Sequence, residues 1–210
     1  VTNQSDQIYY RDGGRFWLAR RISHMARLRI YQDFLREMAP SPMSKILDIG
    51  TSNAPSEEAN ILEANYPYPK NITCGTIGDD SYVASAHPHV KVVKIVPGQP
   101  LPFRDQEFDI VYSNAVLEHV GGVQERRFYL LENLRVAKRI FVAIPNRWFP
   151  IEHHTGIPLL RYAPSLFRRL LAGTAYDFWT RPANVDFLGR SAIAGGSGRR
   201  VACQRSDTAA

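Results

Sequence analysis

Residues 45–54 read KILDIGTSNA. Ile46 and Leu47 form an apolar strand end, Asp48 is an acid at its carboxyl edge, and Gly50 opens a turn. Pro55 follows, then SEEANILEANY, which has a helical period. Strand, tight turn and helix in that order make the first unit of a nucleotide-binding α/β sheet. A glycine lets the backbone approach a ligand closely, because it carries no Cβ. The helix amino end offers unpaired N–H groups and a positive dipole to an anion. Asp48 can hold a cation near the same point. Together they suit a ligand that carries both charges.

Working outward, strands and helices alternate on both sides of this turn. Upstream, RFWLARRISHMARLRIYQDFLREM places Trp17, Leu18, Ile22, Met25, Leu28, Tyr31, Phe34, Leu35 and Met38 in steps of three and four. That spacing predicts a long amphipathic helix, ended by Pro40 and Pro42. Its polar face carries Arg20, Arg21, Arg27 and Arg36, so it either packs on the sheet or lies on a membrane surface. Downstream, NITCGTI is a short second strand and residues 81–89 are a weak helix or loop. Residues 89–96, HVKVVKIV, are a third strand and FDIVYS is a fourth. GGVQERRFYLLENLRVA is a helix with Phe128, Leu131 and Leu134 on one face, and RIFVAIP is a fifth strand. This alternation argues for a mostly parallel, Rossmann-like α/β sheet with helices on both faces. Its ligand belongs at the carboxyl ends of the strands.

The 210 residues suffice for one sizeable core. No apolar run approaches the roughly 18 residues that would cross a bilayer, and the first ten residues lack the regions of a secretory signal. Cys74 and Cys203 are the only cysteines, so no disulfide framework or cysteine metal site is expected. A reducing cytoplasm follows as the expected compartment. The net charge of +6 is uneven: +3 over residues 1–38, −2 over 39–160 and +5 over 161–210. Basic ends can meet anionic lipid, nucleic acid or a phosphorylated substrate, or simply solubilise the chain.

Three parts are expected. Residues 1–40 hold the amphipathic helix, packed on the main domain. Residues 41–188 are that domain, and residues 189–210 are a low-complexity tail. In the tail sixteen of twenty-two residues are Gly, Ala, Ser or Arg and none is aromatic. Such a composition predicts disorder.

A second stretch sharpens the turn at Gly50. Residues 101–122 read LPFRDQEFDIVYSNAVLEHVGG. Leu101-Pro102-Phe103, Asp105, Phe108-Asp109-Ile110-Val111 and Glu118-His119-Val120 fall at set offsets before and after the fourth strand. Taken with the acid-x-Gly turn, this resembles the class I S-adenosylmethionine-dependent methyltransferases, in the small-molecule group called type 11. The resemblance covers roughly residues 40–146. It implies S-adenosylmethionine as cofactor and methyl transfer to a small or lipid-linked acceptor, in a bacterial cytoplasm or at the inner face of the membrane. Asp48 and Gly50 match the positions that hold the methionine end of the cofactor, with Thr51, Ser52 and Asn53 in the turn. Asn114, with Ala115 after it, matches a residue whose backbone faces the cofactor. Tyr10 and Arg11 resemble an entry segment that covers it. His119 resembles a general base used by some relatives on a hydroxyl acceptor; it can equally be a structural start to the next helix. Adjacent residues on a helix do not converge on one ion, so Glu118 and His119 are not read as metal ligands. Glu152, His153 and His154 form a second polar cluster after the fifth strand.

Two departures stand out. Relatives end the second strand in an acid that binds the ribose hydroxyls, where this chain has Thr76; Asp79 or Asp80 could substitute. Relatives also carry an acid-small pair after the third strand, where this chain has Pro97-Gly98. The family continues past the fifth strand with a helix and an antiparallel strand pair, which the tail does not resemble. Two alternatives to the enzyme therefore stay open: a non-catalytic or truncated relative, and a basic membrane-surface module. No sequence-specific nucleic-acid motif is present.

Overall fold

The computed structural model describes residues 17–53, 59–144 and 201–205, with Arg169, Leu170 and Ala172 besides. The sheet is built from β1 (Ile46–Ile49), β2 (Ile72–Thr76), β3 (Lys91–Lys94), β4 (Phe108–Asn114), β5 (Ala137–Ile144) and β6 (Val201–Arg205). The helices are α1 (Trp17–Met38), α2 (Ile61–Asn65), α3 (Ser81–Ala86) and α4 (Val123–Val136). Strand order is β3-β2-β1-β4-β5-β6, and every pair is parallel. This is the Rossmann-like α/β sheet that the alternation of elements calls for.

β1 and β2 are buried along their whole length, as expected of strands covered on both faces. On one face α1, α2 and α3 pack over Ile46, Ile72, Cys74, Ile110, Tyr112 and Phe141. On the other, α4 packs over Leu47, Ile49, Val111, Ile140 and Val142. α1 is an integral part of the first layer. Ala26, Ile30 and Phe34 follow one another at i+4 and are buried together with Tyr31 and Met38. Phe34 is fully buried and meets Tyr112 and Phe141 edge-on, at ring-centre distances of 5.0 and 5.5 Å. Tyr112 and Phe141, paired across β4 and β5, stack 5.6 Å apart. The helix ends at Met38, and Ala39 turns left-handed at φ 41 ahead of Pro40.

Four expectations are corrected by the coordinates. β3 runs for only four residues, because it is the sheet edge and its side chains are exposed or half-buried. α2 begins only at Ile61. On α4 the packed side is not that of Phe128 and Leu131, which are 37% and 52% exposed. It is the side of Tyr129, Leu130, Leu134 and Val136. Finally, residues 201–205 form a strand inside the tail. An edge strand is held by main-chain hydrogen bonds, which a sequence without apolar alternation can still make. It lies parallel to β5.

Two motifs noted in the sequence turn out to be braces. The Asp109 carboxylate accepts hydrogen bonds from the Lys45 backbone N–H (2.9 Å) and from Lys138 Nζ (2.7 Å), tying the amino ends of β1, β4 and β5. Arg135 on α4 donates to the carbonyls of Leu101 and Phe103 and to Asp105 and Glu132, which fixes the Leu-Pro-Phe loop before β4.

Replacing Phe34 by Ala should cost about 3–5 kcal/mol of unfolding free energy, read by urea denaturation. The Lys138 hydrogen bond, then the Lys45 N–H, hold Asp109 below the usual carboxylate range. Its contribution is therefore full above an ordinary Asp pKa of about 3.9 and is lost as pH falls through the lowered value. Asp109→Asn should flatten that part of the acid limb of stability against pH.

Candidate functional site

β1 lies between β2 and β4 and feeds both halves of the sheet, so the crevice opens where its carboxyl end meets theirs. Ile49 pairs with Gly75 and with Ser113. One residue further on, Gly50 therefore stands level with Thr76 and Asn114. This brings together the turn residues of the sequence reading and the end of β4.

Gly50 adopts φ 107, a conformation that L side chains rarely take. A Cβ there would lie 2.2 Å from Val116 Cγ2. Glycine is thus required twice, by its own backbone and by the β4 loop packed against it. That loop is itself turned sharply: Ala115 has φ 57, and its N–H donates to the Ala143 carbonyl at 2.9 Å.

The turn beyond Gly50 is braced on two sides. Ser52 exchanges hydrogen bonds with the Asn60 side chain, at 3.0 Å to Oδ1 and 2.9 Å from Nδ2. Asn53 Oδ1 accepts from the backbone N–H groups of Tyr82 and Val83, at 2.8 and 3.3 Å, and so caps α3. Asn53 Nδ2 donates to Asp79 at 2.9 Å. Asp79 also accepts from Ser81 N–H and Ser81 Oγ, at 3.1 and 3.0 Å, and these bonds hold its carboxylate below the usual range. Asp79 is therefore committed to the start of α3, which leaves it poorly placed to replace the missing ribose acid. Thr76, at the position the resemblance gives to that acid, is 2% exposed, with its hydroxyl buried and without a hydrogen-bond partner among the described residues.

Asp48 is not at the crevice surface. Its side chain is buried and faces Glu63 of α2, and burial followed by the Glu63 charge raises its pKa well above the ordinary value. The Thr51 hydroxyl is buried and has no hydrogen-bond partner among the described residues. Cys74 donates to Glu63 Oε1 at 3.3 Å, and burial pushes this thiol up as well. Sequence reasoning missed Glu63, although it lies beside Ile61 and Leu62 on a short helix where an exposed acid would be ordinary. Tyr112 sits in the same row, its pKa raised by burial and then by the two acids.

His119 ends a short 3-10 turn, Leu117–His119, after β4. Its ring is 33% exposed, and Nε2 lies 4.0 Å from the buried Glu118 carboxylate. Behind it, Ser113 Oγ and Tyr129 Oη are 2.7 Å apart, and burial pushes Tyr129 up to about 12. Among the described residues no cluster of His, Cys, Asp or Glu could hold a metal ion. Tyr10, Arg11, Glu152, His153 and His154 lie outside the described residues.

Residues 47–140 match the family model of the methyltransferase domain, type 11. This stretch is similar to the methyltransferase domain that the model describes. The matched residues run from β1 into β5 and include every described part of the crevice. A search of curated protein sequences finds no match. Among solved structures, the chain is similar to the YcgJ protein from Bacillus subtilis, at 19% identity and TM-score 0.41, over 53% of this chain and 47% of that one. It is also similar to a SAM-dependent methyltransferase from Thermotoga maritima, described as a possible histamine N-methyltransferase. There the identity is 18% and the TM-score 0.41, over 64% of this chain and 56% of that one. The chain thus spans about half the length of these structures. Likeness at this level bears on neither substrate nor partner.

Toward S-adenosylmethionine, the cofactor that this likeness implies, the crevice presents the turn at Gly50 to Asn53 and, at the end of β2, a buried Thr76 hydroxyl without a hydrogen-bond partner among the described residues. These fit the group, with a neutral donor and acceptor where relatives place a charge.

Gly50→Ala should destabilise the domain by about 1–3 kcal/mol, from overpacking against Val116 and the strained φ. Adding Val116→Ala should recover the steric part only. A double-mutant cycle by chemical denaturation reads the difference.

Proposed function

We propose that the chain is an S-adenosylmethionine-dependent methyltransferase acting on a small or lipid-linked acceptor. The observation that carries this reading is the family match over residues 47–140, laid on a parallel sheet whose switch point sets the braced Gly50 turn beside Asn114. Bound S-adenosylmethionine supplies a methyl group on a positively charged sulfur, which is already a good leaving group. The work left to the chain is to hold donor and acceptor close and in line. Gly50, Thr51 and Asn53 hold the methionine end through backbone groups, while the Ser52 backbone, bonded to Asn60, fixes the shape of the turn. Asn114 and Ala115 line the opposite wall, and the Thr76 hydroxyl meets the ribose. Asp48 supports the turn from beneath. A base is needed only when the nucleophile must lose a proton, and His119, half-exposed past the end of β4, takes that role for a hydroxyl acceptor.

A lipid-linked acceptor draws support from the outer face of α1. There Met25 is 55% exposed, between exposed Arg21 and Arg29 at i−4 and i+4. Retention on anionic vesicles that falls with added salt would support it. The Thr76 and Pro97 departures favour a second reading, in which the domain binds the donor without turning it over.

Calorimetry with S-adenosylmethionine and S-adenosylhomocysteine tests the reading. The wild-type chain should bind both. Asn53→Ala, which unties the turn from α3, should weaken binding roughly tenfold, or about 1.4 kcal/mol. No binding by the wild type sinks the proposal; binding of both ligands with no methyl transfer to any acceptor favours the second reading.

A further inference from the structure

The chain crosses from strand to strand by one rule. Steps toward the β3 edge, from β1 to β2 and from β2 to β3, pass over the sheet face under α1, where Ile61 and Leu62 of α2 and Val83 of α3 are buried. Steps toward β6 pass over the opposite face. There the connection from β3 to β4 buries Ile95 and packs Leu101 and Phe103, and there α4 joins β4 to β5. All four steps thus share one hand, as a twisted parallel sheet imposes. β6 lies beyond β5 and parallel to it, so one more step in the same direction remains. Residues 145–200 make it, far more chain than the dozen or so residues that a parallel crossover needs. The shared hand sends this connection over the face of α4, and alongside that helix.

α4 has an open side to receive it. One flank is already taken by the loop before β4: Glu132 accepts from the Leu101 N–H at 2.8 Å, and Arg135 donates to the Leu101 and Phe103 carbonyls at 2.9 Å each. Leu130 and Leu134 pack against the sheet. Further round the helix, Leu131 is 52% exposed, with Val123 at i−8 and Phe128 at i−3 exposed beside it. No other described element carries more than one exposed large apolar side chain. Within the connection, residues 165–173, SLFRRLLAG, set Leu166, Phe167, Leu170 and Leu171 at the spacing of one apolar helix face. Leu170 is among the described residues and is 57% exposed, so it too has surface to give a partner. We propose that the open side of α4, formed by Val123, Phe128 and Leu131, is a docking surface for residues 165–173 of the same chain. Two helices side by side, with about 8–10 Å between their axes, bury such faces in ordinary packing. Each apolar group so covered stabilises the domain by its removal from water. This holds whether or not the crevice binds a methyl donor.

A photo-reactive benzophenone amino acid in place of Leu131, in the full chain, tests the proposal. Half of the Leu131 side chain faces solvent, so the fold should tolerate the change. Light and isotope-labelled heavy chains are mixed in equal parts and irradiated, and the linked peptides are mapped by mass spectrometry. Links should end within residues 165–173 and should join light to light and heavy to heavy only. The same group in place of Met25, on the outer face of α1, should give no link to that segment. If the chain with the group at 131 does not fold, the group in place of Phe128, a residue closer to it in shape, reads the same surface. Links that join light to heavy assign the surface to a second copy of the chain and overturn the proposal. Links that end elsewhere in the chain, or no links from a folded protein, overturn it as well.

Discussion

Residue 50 can carry no side chain. At φ 107, and with Val116 Cγ2 where a Cβ would be, the end of β1 and the loop after β4 are pressed together at one point. Most of the crevice follows from that contact. It brings Ala115 round into its left-handed turn, sets Asn114 across from Gly50, and starts the short 3-10 turn that carries His119. It also sends the chain after β1 sideways into Ser52 and Asn53, where Asn60 and α3 receive it. The turn is held by side chains of its own chain on both flanks. Its shape is therefore fixed before any ligand arrives, which is what positioning chemistry demands.

The layer beneath is held differently. Phe34 reaches from α1 to the stacked Tyr112 and Phe141 and closes the sheet face over β4 and β5. One step across the register, the same row passes from aromatic to acid at Asp48 and to thiol at Cys74. One stripe of the sheet is thus apolar under α1 and polar under α2. The polar half lies directly below the turn. Core positions that bury acids are expensive, and their placement at the switch point of the sheet ties that cost to the site.

Much of this was legible in the sequence because it is local. The run KILDIG, the glycine and the alternating strands point to the sheet, and the typed positions of residues 101–122 carry the family resemblance. What was not legible depends on partners far away in the chain. Asp48 read as a ligand-facing acid because nothing in KILDIGTSNA shows that Glu63 comes to lie against it. Asn53 and Asp79 read as ligand contacts, and they bind each other and the start of α3. The face of α4 was misassigned because Phe128, Leu131 and Leu134 keep helical spacing as well as the true set does; only the sheet selects Tyr129, Leu130 and Val136. The strand at residues 201–205 escaped notice because edge pairing is a main-chain property that composition does not report.

The brace at Arg135 has a consequence for how the domain assembles. The loop at residues 101–105 is held by a guanidinium some thirty positions later, on the helix that must first dock against β4 and β5. Its closure is paid in chain entropy before it is rewarded. The loop should therefore acquire its native form late, after α4 has settled. Local opening of the native state, in turn, has its natural starting point there, on the side of the molecule away from α1.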